Sequence, residues 1–138
     1  MADLERAGLF AVLHASSVLE GRVESRLAAI NLSLAKLAAL RHLSRAGDSL
    51  PLGQLAERLA CVKSNVTQLV DRLEAEGLVT RSHDPADRRS RLAVLTDKGR
   101  RACALGNDIQ HRTERELFSA LSPDESMQLR QLLAKLTA

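Results

Sequence analysis

Side chains able to do chemistry are densest between residues 63 and 91. The stretch "KSNVTQLVDR" gathers Lys63, Ser64, Asn65, Thr67, Gln68 and Arg72, and "DPADRRSR" follows with Arg88, Arg89 and Arg91. Amides and hydroxyls offer paired donors and acceptors of the kind that match base edges, and guanidinium groups favour phosphates and narrow electronegative grooves. Other chemistries are less well served. Cys61 stands just before the first stretch, where a helix N-terminus would stabilise a thiolate and allow oxidant sensing, although an inert buried thiol is the preferred reading. Cys103 and His111 lack the close spacing of metal ligands, so no metal site is expected. There is no phosphate-cradling glycine loop, nucleophile elbow or paired metal motif. An enzyme is therefore not expected, nor a cofactor.

The distribution of charge points the same way as those stretches. The 138 residues carry a formal net charge of only +3. Between Ser49 and Arg101, eight Arg and two Lys face seven Asp and Glu, so the whole excess lies in the middle of the chain. That suits a footprint for a polyanion, and a solvated face with a chance imbalance would look the same. With 45% hydrophobic and 27% charged residues the composition is that of one ordinary globular domain. Asp3 and Glu5 against Arg6 make the start unlike a secretory leader, no run reaches the ~20 apolar residues that span a bilayer, and two cysteines without pairing suggest a reducing compartment. A cytoplasmic location without membrane contact is expected.

These residues need elements to position them. Leu4 to Ile30 reads as a long buried helix, with Val23, Leu27 and Ile30 on one face and an apolar circumference near Leu9, Phe10, Val12 and Leu13 that should meet more than one neighbour. Ser33 caps a helix with a Leu34, Leu37, Leu40 and Leu43 stripe that ends at Gly47. "PLGQLAERLA" and "KSNVTQLVDRLEAEG" are two short helices, and "LVTRS" and "RLAVLT" alternate as the strands of one hairpin. Thr96 or Asp97 opens a helix to about Leu121. Ser122, Pro123 and Glu125 form a capping box for the last helix, whose Leu129, Leu132, Leu133 and Leu136 share a face.

Helix, turn, helix and hairpin in that order describe a winged helix-turn-helix. Val66, Leu69, Val70 and Leu73 should face the core, which leaves Ser64, Gln68, Asp71 and Ala75 opposite, flanked by Asn65, Thr67 and Arg72. The acids Asp71, Glu74 and Glu76 crowd the C-terminal half, so such a helix meets a phosphate backbone by its N-terminal end. In the hairpin, Asp84 before Pro85 starts the turn and Asp87 accepts from local N–H groups or holds an arginine. A hairpin whose charges serve only solvation reads as well.

The chain resembles the MarR family of bacterial winged-helix regulators, most specifically over "LAERLACVKSNVTQLVDRLEAEGLVTRSHDPADRRSRLAVLTDKG", with Asp87, Arg89, Leu95, Thr96 and Gly99 matching the wing signature. Val62 departs from it, standing where relatives often place a serine cap, and Cys61 occupies a turn position that relatives fill with an apolar residue. The resemblance implies a mainly α fold with a small β-hairpin wing: a winged helix-turn-helix core flanked by N- and C-terminal dimerisation helices. Residues 1–138 then form one MarR-like domain, with 1–48 and 100–138 as the dimerisation region and 49–99 as the DNA-binding region. It implies a homodimer on a pseudo-palindromic double-stranded DNA operator, acting as a transcriptional repressor. Ser64, Asn65, Thr67 and Gln68 would read the major groove, with Arg89 in the wing, Arg88 and Arg91 on the backbone, Lys63 and Lys98 as further phosphate contacts, and Arg72 either on a phosphate or paired with an acid. A small-molecule effector would enter a cleft near His14, Ser17, His42 and His111. Redox or metal sensing on the same fold, and an architectural winged helix without specific readout, are the alternatives.

Overall fold

Leucines at helical spacing build the centre of the molecule, and every other element is placed by what it packs against them. The computed structural model describes residues 2–59 and 65–138, with side chains from Gly8 onward in those ranges. Helix α2 (Leu34–Arg45) starts at Ser33, whose hydroxyl accepts from the Lys36 backbone N–H at 3.1 Å, and buries Leu37, Leu40 and Leu43. Each such leucine contributes about 1.5–3 kcal/mol through loss of apolar surface from water. Around it lie α1 (Ala2–Ala28), which contributes Leu27, α3 (Leu52–Arg58) with Leu55, and α4 (Val66–Ala75) with Leu69, Val70 and Leu73. Val23 and Ile30 pack partly buried against the same core.

Three strands form the sheet where the sequence suggested two. Strands β1 (Ser49–Pro51), β2 (Val79–Asp84) and β3 (Asp87–Leu95) pair antiparallel in the order β1-β3-β2, with Leu50 opposite Ala93 and Arg81 opposite Ala93 from the other side. β1 escapes sequence patterning because it is only "SLP", and its proline is compatible with an edge. The hairpin is also longer than the alternation of apolar residues suggested: pairing runs to Asp84 and Asp87, so Arg88, Arg89 and Arg91 stand on β3 and not in a loop. Both aspartates serve the turn. The Ala86 N–H donates to Asp84 Oδ1 at 2.9 Å and the Arg89 N–H to Asp87 Oδ1 at 3.0 Å.

Helix α5 (Asp97–Phe118), capped by Thr96, ends short of Leu121, and α6 (Pro123–Leu136) follows with the full capping box between Ser122 and Glu125. α5 is seated very closely. A Cβ on Gly99 would fall 2.0 Å from the Leu78 carbonyl oxygen, and one on Gly106 would fall 2.7 Å from Leu37 Cδ1. α1 is tied to α5 by Arg26, which donates to Thr113 Oγ1 at 3.2 Å and pairs with Glu116 at 2.5 Å.

The expectation of a buried first helix needs correction. Phe10 is 70% exposed, and Leu9, Val12, Leu13, Val18 and Leu19 are exposed too. The C-terminal stripe behaves likewise: α6 buries none of its residues, and Leu129, Leu132, Leu133 and Leu136 all face outward. Periodicity showed that these faces are apolar and could not show that nothing in the same chain covers them. Among the described residues no helix is long and apolar enough to cross a membrane.

Because the Leu78 carbonyl is backbone and cannot swing aside, Gly99→Ala is expected to destabilise the protein by about 3 kcal/mol, the upper part of the usual overpacking range, as read from urea denaturation midpoints.

Candidate nucleic-acid interface

Helix α4 turns its apolar side to the core and leaves Thr67, Gln68, Asp71, Arg72, Glu74 and Ala75 exposed, as the spacing required. It begins at Val66, with Asn65 as the N-cap. The Asn65 side-chain oxygen accepts the Gln68 backbone N–H at 3.3 Å, and its carbonyl accepts the Leu69 N–H at 2.9 Å. This changes what Asn65 can offer to DNA. With Oδ1 turned to the backbone, the paired donor and acceptor needed for an adenine edge is incomplete, and only the amide N–H₂ is left to point outward. The Gln68 amide makes no hydrogen bond among the described residues, so it keeps both groups. Ser64, Lys63, Val62 and Cys61 lie outside the described residues.

Acidic side chains on α4 are held by cations that the sequence reading did not assign to them. Arg81 on β2 pairs with Asp71 at 2.6 Å and Glu74 at 3.2 Å, and its backbone N–H donates to Glu74 at 3.2 Å. These acids raise the Arg81 pKa still further above its ordinary value, the Asp71 hydrogen bond contributing most. Glu76, at the end of α4, pairs with Lys36 of α2 at 2.7 Å, while Lys98 of α5 donates to its backbone carbonyl at 2.8 Å. Lys98, expected as a phosphate contact, is thus spent on holding α4. Sequence distance hides such pairs, since 40 residues separate Lys36 from Glu76.

Cations on the other side are unencumbered. Among the described residues Arg72, Arg88, Arg89 and Arg91 are exposed and make no ion pair. Strand alternation places Arg89 and Arg91 on the same side of β3, where they border a groove with Leu52 and Gly53 of α3.

A larger cleft of about 610 Å³ opens between α1, α2 and α5. Of the four residues expected near an effector, only Ser17 lines it, together with Ser16, Glu20 and Arg41 among others. His14, His42 and His111 do not line this cleft. His42 lies half-buried on α2, with its pKa below the ordinary value because of burial first and then the charges of Arg58, Arg45 and Arg41. Glu24, at the cleft wall, accepts the Leu34 N–H that opens α2. The missed residue is Arg41, one turn after Leu37, where a cation interrupts an apolar neighbourhood.

Two short helices followed by a strand-paired wing, with Arg88, Arg89 and Arg91 exposed and the acids of α4 tied, define a winged-helix fold. The MarR family model matches residues 32–90, and over this region the chain is similar to transcriptional regulators. It is 44% identical over 84 residues to the uncharacterized HTH-type transcriptional regulator YkoM of Bacillus subtilis, a match covering 61% of this chain and 54% of that protein. The fold is similar to a MarR family transcriptional regulator from Streptomyces coelicolor (TM-score 0.82, 27% identity, 96% of this chain and 92% of the other). It is similar as well to BpsR of Bordetella bronchiseptica, whose DNA binding is regulated by 6-hydroxynicotinic acid (TM-score 0.81, 26% identity, 93% and 91% covered). The chain spans little more than half the length of the first of these relatives.

The acids are exposed but the Arg81 side chain is mostly covered, so Arg81→Ala loses stem packing as well as two weak ion pairs and should lower stability by about 1 kcal/mol in urea denaturation. By freeing two carboxylates on α4 it should weaken any binding of duplex DNA at this face several-fold in fluorescence anisotropy at low salt. Asn65→Ser retains a side-chain cap, and equal thermal stability with altered base preference is the expected result.

Proposed function

We propose that the protein is a homodimeric, sequence-specific repressor that leaves a pseudo-palindromic operator when a small molecule occupies the cleft between α1, α2 and α5. The observation that carries this reading is the sorting of charge about α4. Acids that would repel a phosphate backbone are paired within the fold, whereas Gln68, Thr67 and the wing arginines are exposed and available. Residues 49–99 then act as the DNA-binding region. Gln68 and Thr67 read base edges together with Ser64 and the outward amide of Asn65, and Arg89 enters the minor groove with Arg88, Arg91, Arg72 and Lys63 on phosphates.

Residues 1–48 and 100–138 serve as the dimerisation region on this reading. The uncovered leucines of α1 and α6 are its support, because contiguous apolar faces of that kind mark association surfaces. The cleft supports effector binding by its position. α2 carries both its wall and Lys36, the partner of Glu76 on α4, so a molecule that moves α2 moves the end of the reading helix. Ser16, Ser17, Glu20 and Arg41 give this cleft a mixed polar lining suited to a small organic molecule with hydrogen-bonding groups.

Selection of bound duplexes from random DNA at near-physiological salt tests the central claim. A two-fold symmetric site with half-sites about one helical turn apart is expected, and recovery of no consensus would favour an architectural protein. In the same selection Gln68→Ala should relax base preference, while Arg89→Ala should weaken all sites alike and reduce the salt slope by about one. Leu132→Asp is expected to give a monomer by sedimentation velocity and to lose tight binding.

A further inference from the structure

Arg41 separates the effector cleft from a second recess. This smaller cavity, of about 180 Å³, lies between α2 and α5 and is lined by Arg41, Ser44, Arg45, Cys103, Asn107 and His111. Two helices present one face each: Arg41 and Arg45 are one turn apart on α2, and Cys103, Asn107 and His111 follow one another at intervals of four on α5. The lining contains cations and neutral donors but no carboxylate.

Neither arginine is neutralised. Among the described residues, Arg41 and Arg45 make no ion pair. The Arg41 guanidinium is held instead by neutral acceptors, with Nε and Nη2 at 3.0 and 2.7 Å from Asn107 Oδ1 and a further bond to Gln110 Oε1. Asn107 therefore orients Arg41, and its own N–H₂ faces the Cys103 sulfur at 3.7 Å. Burial pushes the Cys103 thiol up against the opposing pull of Arg41 and Arg45, so the cavity floor is a neutral thiol and not a competing anion. The depressed proton affinity of His42 has a share from the same two arginines. Two cations, Arg41 held in place by Asn107 and Arg45 exposed beside it, thus border a recess that supplies no counter-charge, where an anion gains charge-assisted hydrogen bonds.

We propose that this cavity binds a phosphate-type oxyanion, with Arg41 and Arg45 as charge partners and Ser44 and His111 as additional donors. The site is separate from the effector cleft, shares only Arg41 with it, and does not depend on the DNA-binding reading. Its occupant is free phosphate or the phosphate group of a small ester, whose remainder would project past the exposed Arg45 and His111.

The test is a titration of the ¹⁵N-labelled full chain with inorganic phosphate, and in a second arm with glycerol 3-phosphate, at ionic strength held constant with sodium chloride. Saturable amide shifts centred on Ser44, Arg45, Cys103 and Asn107 are expected, together with a rise in thermal midpoint that sodium chloride does not reproduce. Arg45→Gln should weaken binding at least tenfold without changing the midpoint in chloride, and Arg22→Gln, on exposed α1, should leave it unchanged. Arg41→Gln should act similarly. If it fails to fold after losing its amide bonds, the exposed Arg45 decides the matter alone. Tighter binding of the ester identifies a phosphomonoester as the occupant, and tighter binding of phosphate identifies the free anion. Shifts that grow linearly, spread over the surface or persist equally in Arg45→Gln would overturn the proposal.

Discussion

The approach of α5 to the junction between α4 and β2 is the constraint on which the remaining geometry depends. Thr96 donates its hydroxyl to the Gly77 carbonyl at 2.7 Å and accepts the Gly99 N–H at 3.0 Å, while its own N–H bonds the Leu78 carbonyl at 3.1 Å. Gly77 has a φ of +74°, which lets the chain leave α4 and enter the sheet directly. Only a residue without a side chain fits at position 99 against that backbone. A single turn of polypeptide thereby joins α4, the wing and the long helix that lines both cavities.

Electrostatics refine what this packing establishes. The net charge of the chain is small, and a phosphate backbone approaching α4 meets a surface sorted by sign and not a uniform field. Arg81, Lys36 and Lys98 are spent internally, each fastening α4 to a different element, and the cations left over lie on the wing and the exposed side of α4. Some basic residues therefore act as structural fasteners and others stay exposed and unpaired among the described residues, a distinction that composition alone conceals.

Local physics was legible in the sequence; long-range pairing was not. The Ser33 cap, the Ser122 and Glu125 box, the aspartates of the hairpin turn and the core faces of α2 and α4 all follow from side chains acting within a few residues of themselves. β1 was missed because three residues carry no period, and the wing strands were drawn short because arginines interrupt the apolar alternation while the backbone ladder continues. At the candidate interface the exposure of Thr67, Gln68 and Arg72 was readable from helical phase, but the capping role of Asn65 required the true helix start. Histidines drew attention to the cleft by chemistry alone. The residue that lines it most tellingly, Arg41, owes its place to the packing of α2 against α5, which no single element specifies.

The uncovered leucines of α1 and α6 have a consequence for how binding sites would be discriminated. In a dimer built on those faces, the gap between the two copies of α4 would be fixed by how two pairs of long helices meet. Tolerance for the spacing of half-sites then resides in the stiffness of an apolar seam remote from any base. A relative could keep every groove-facing side chain of α4 and still prefer a differently spaced operator through substitutions on α1 and α6 alone.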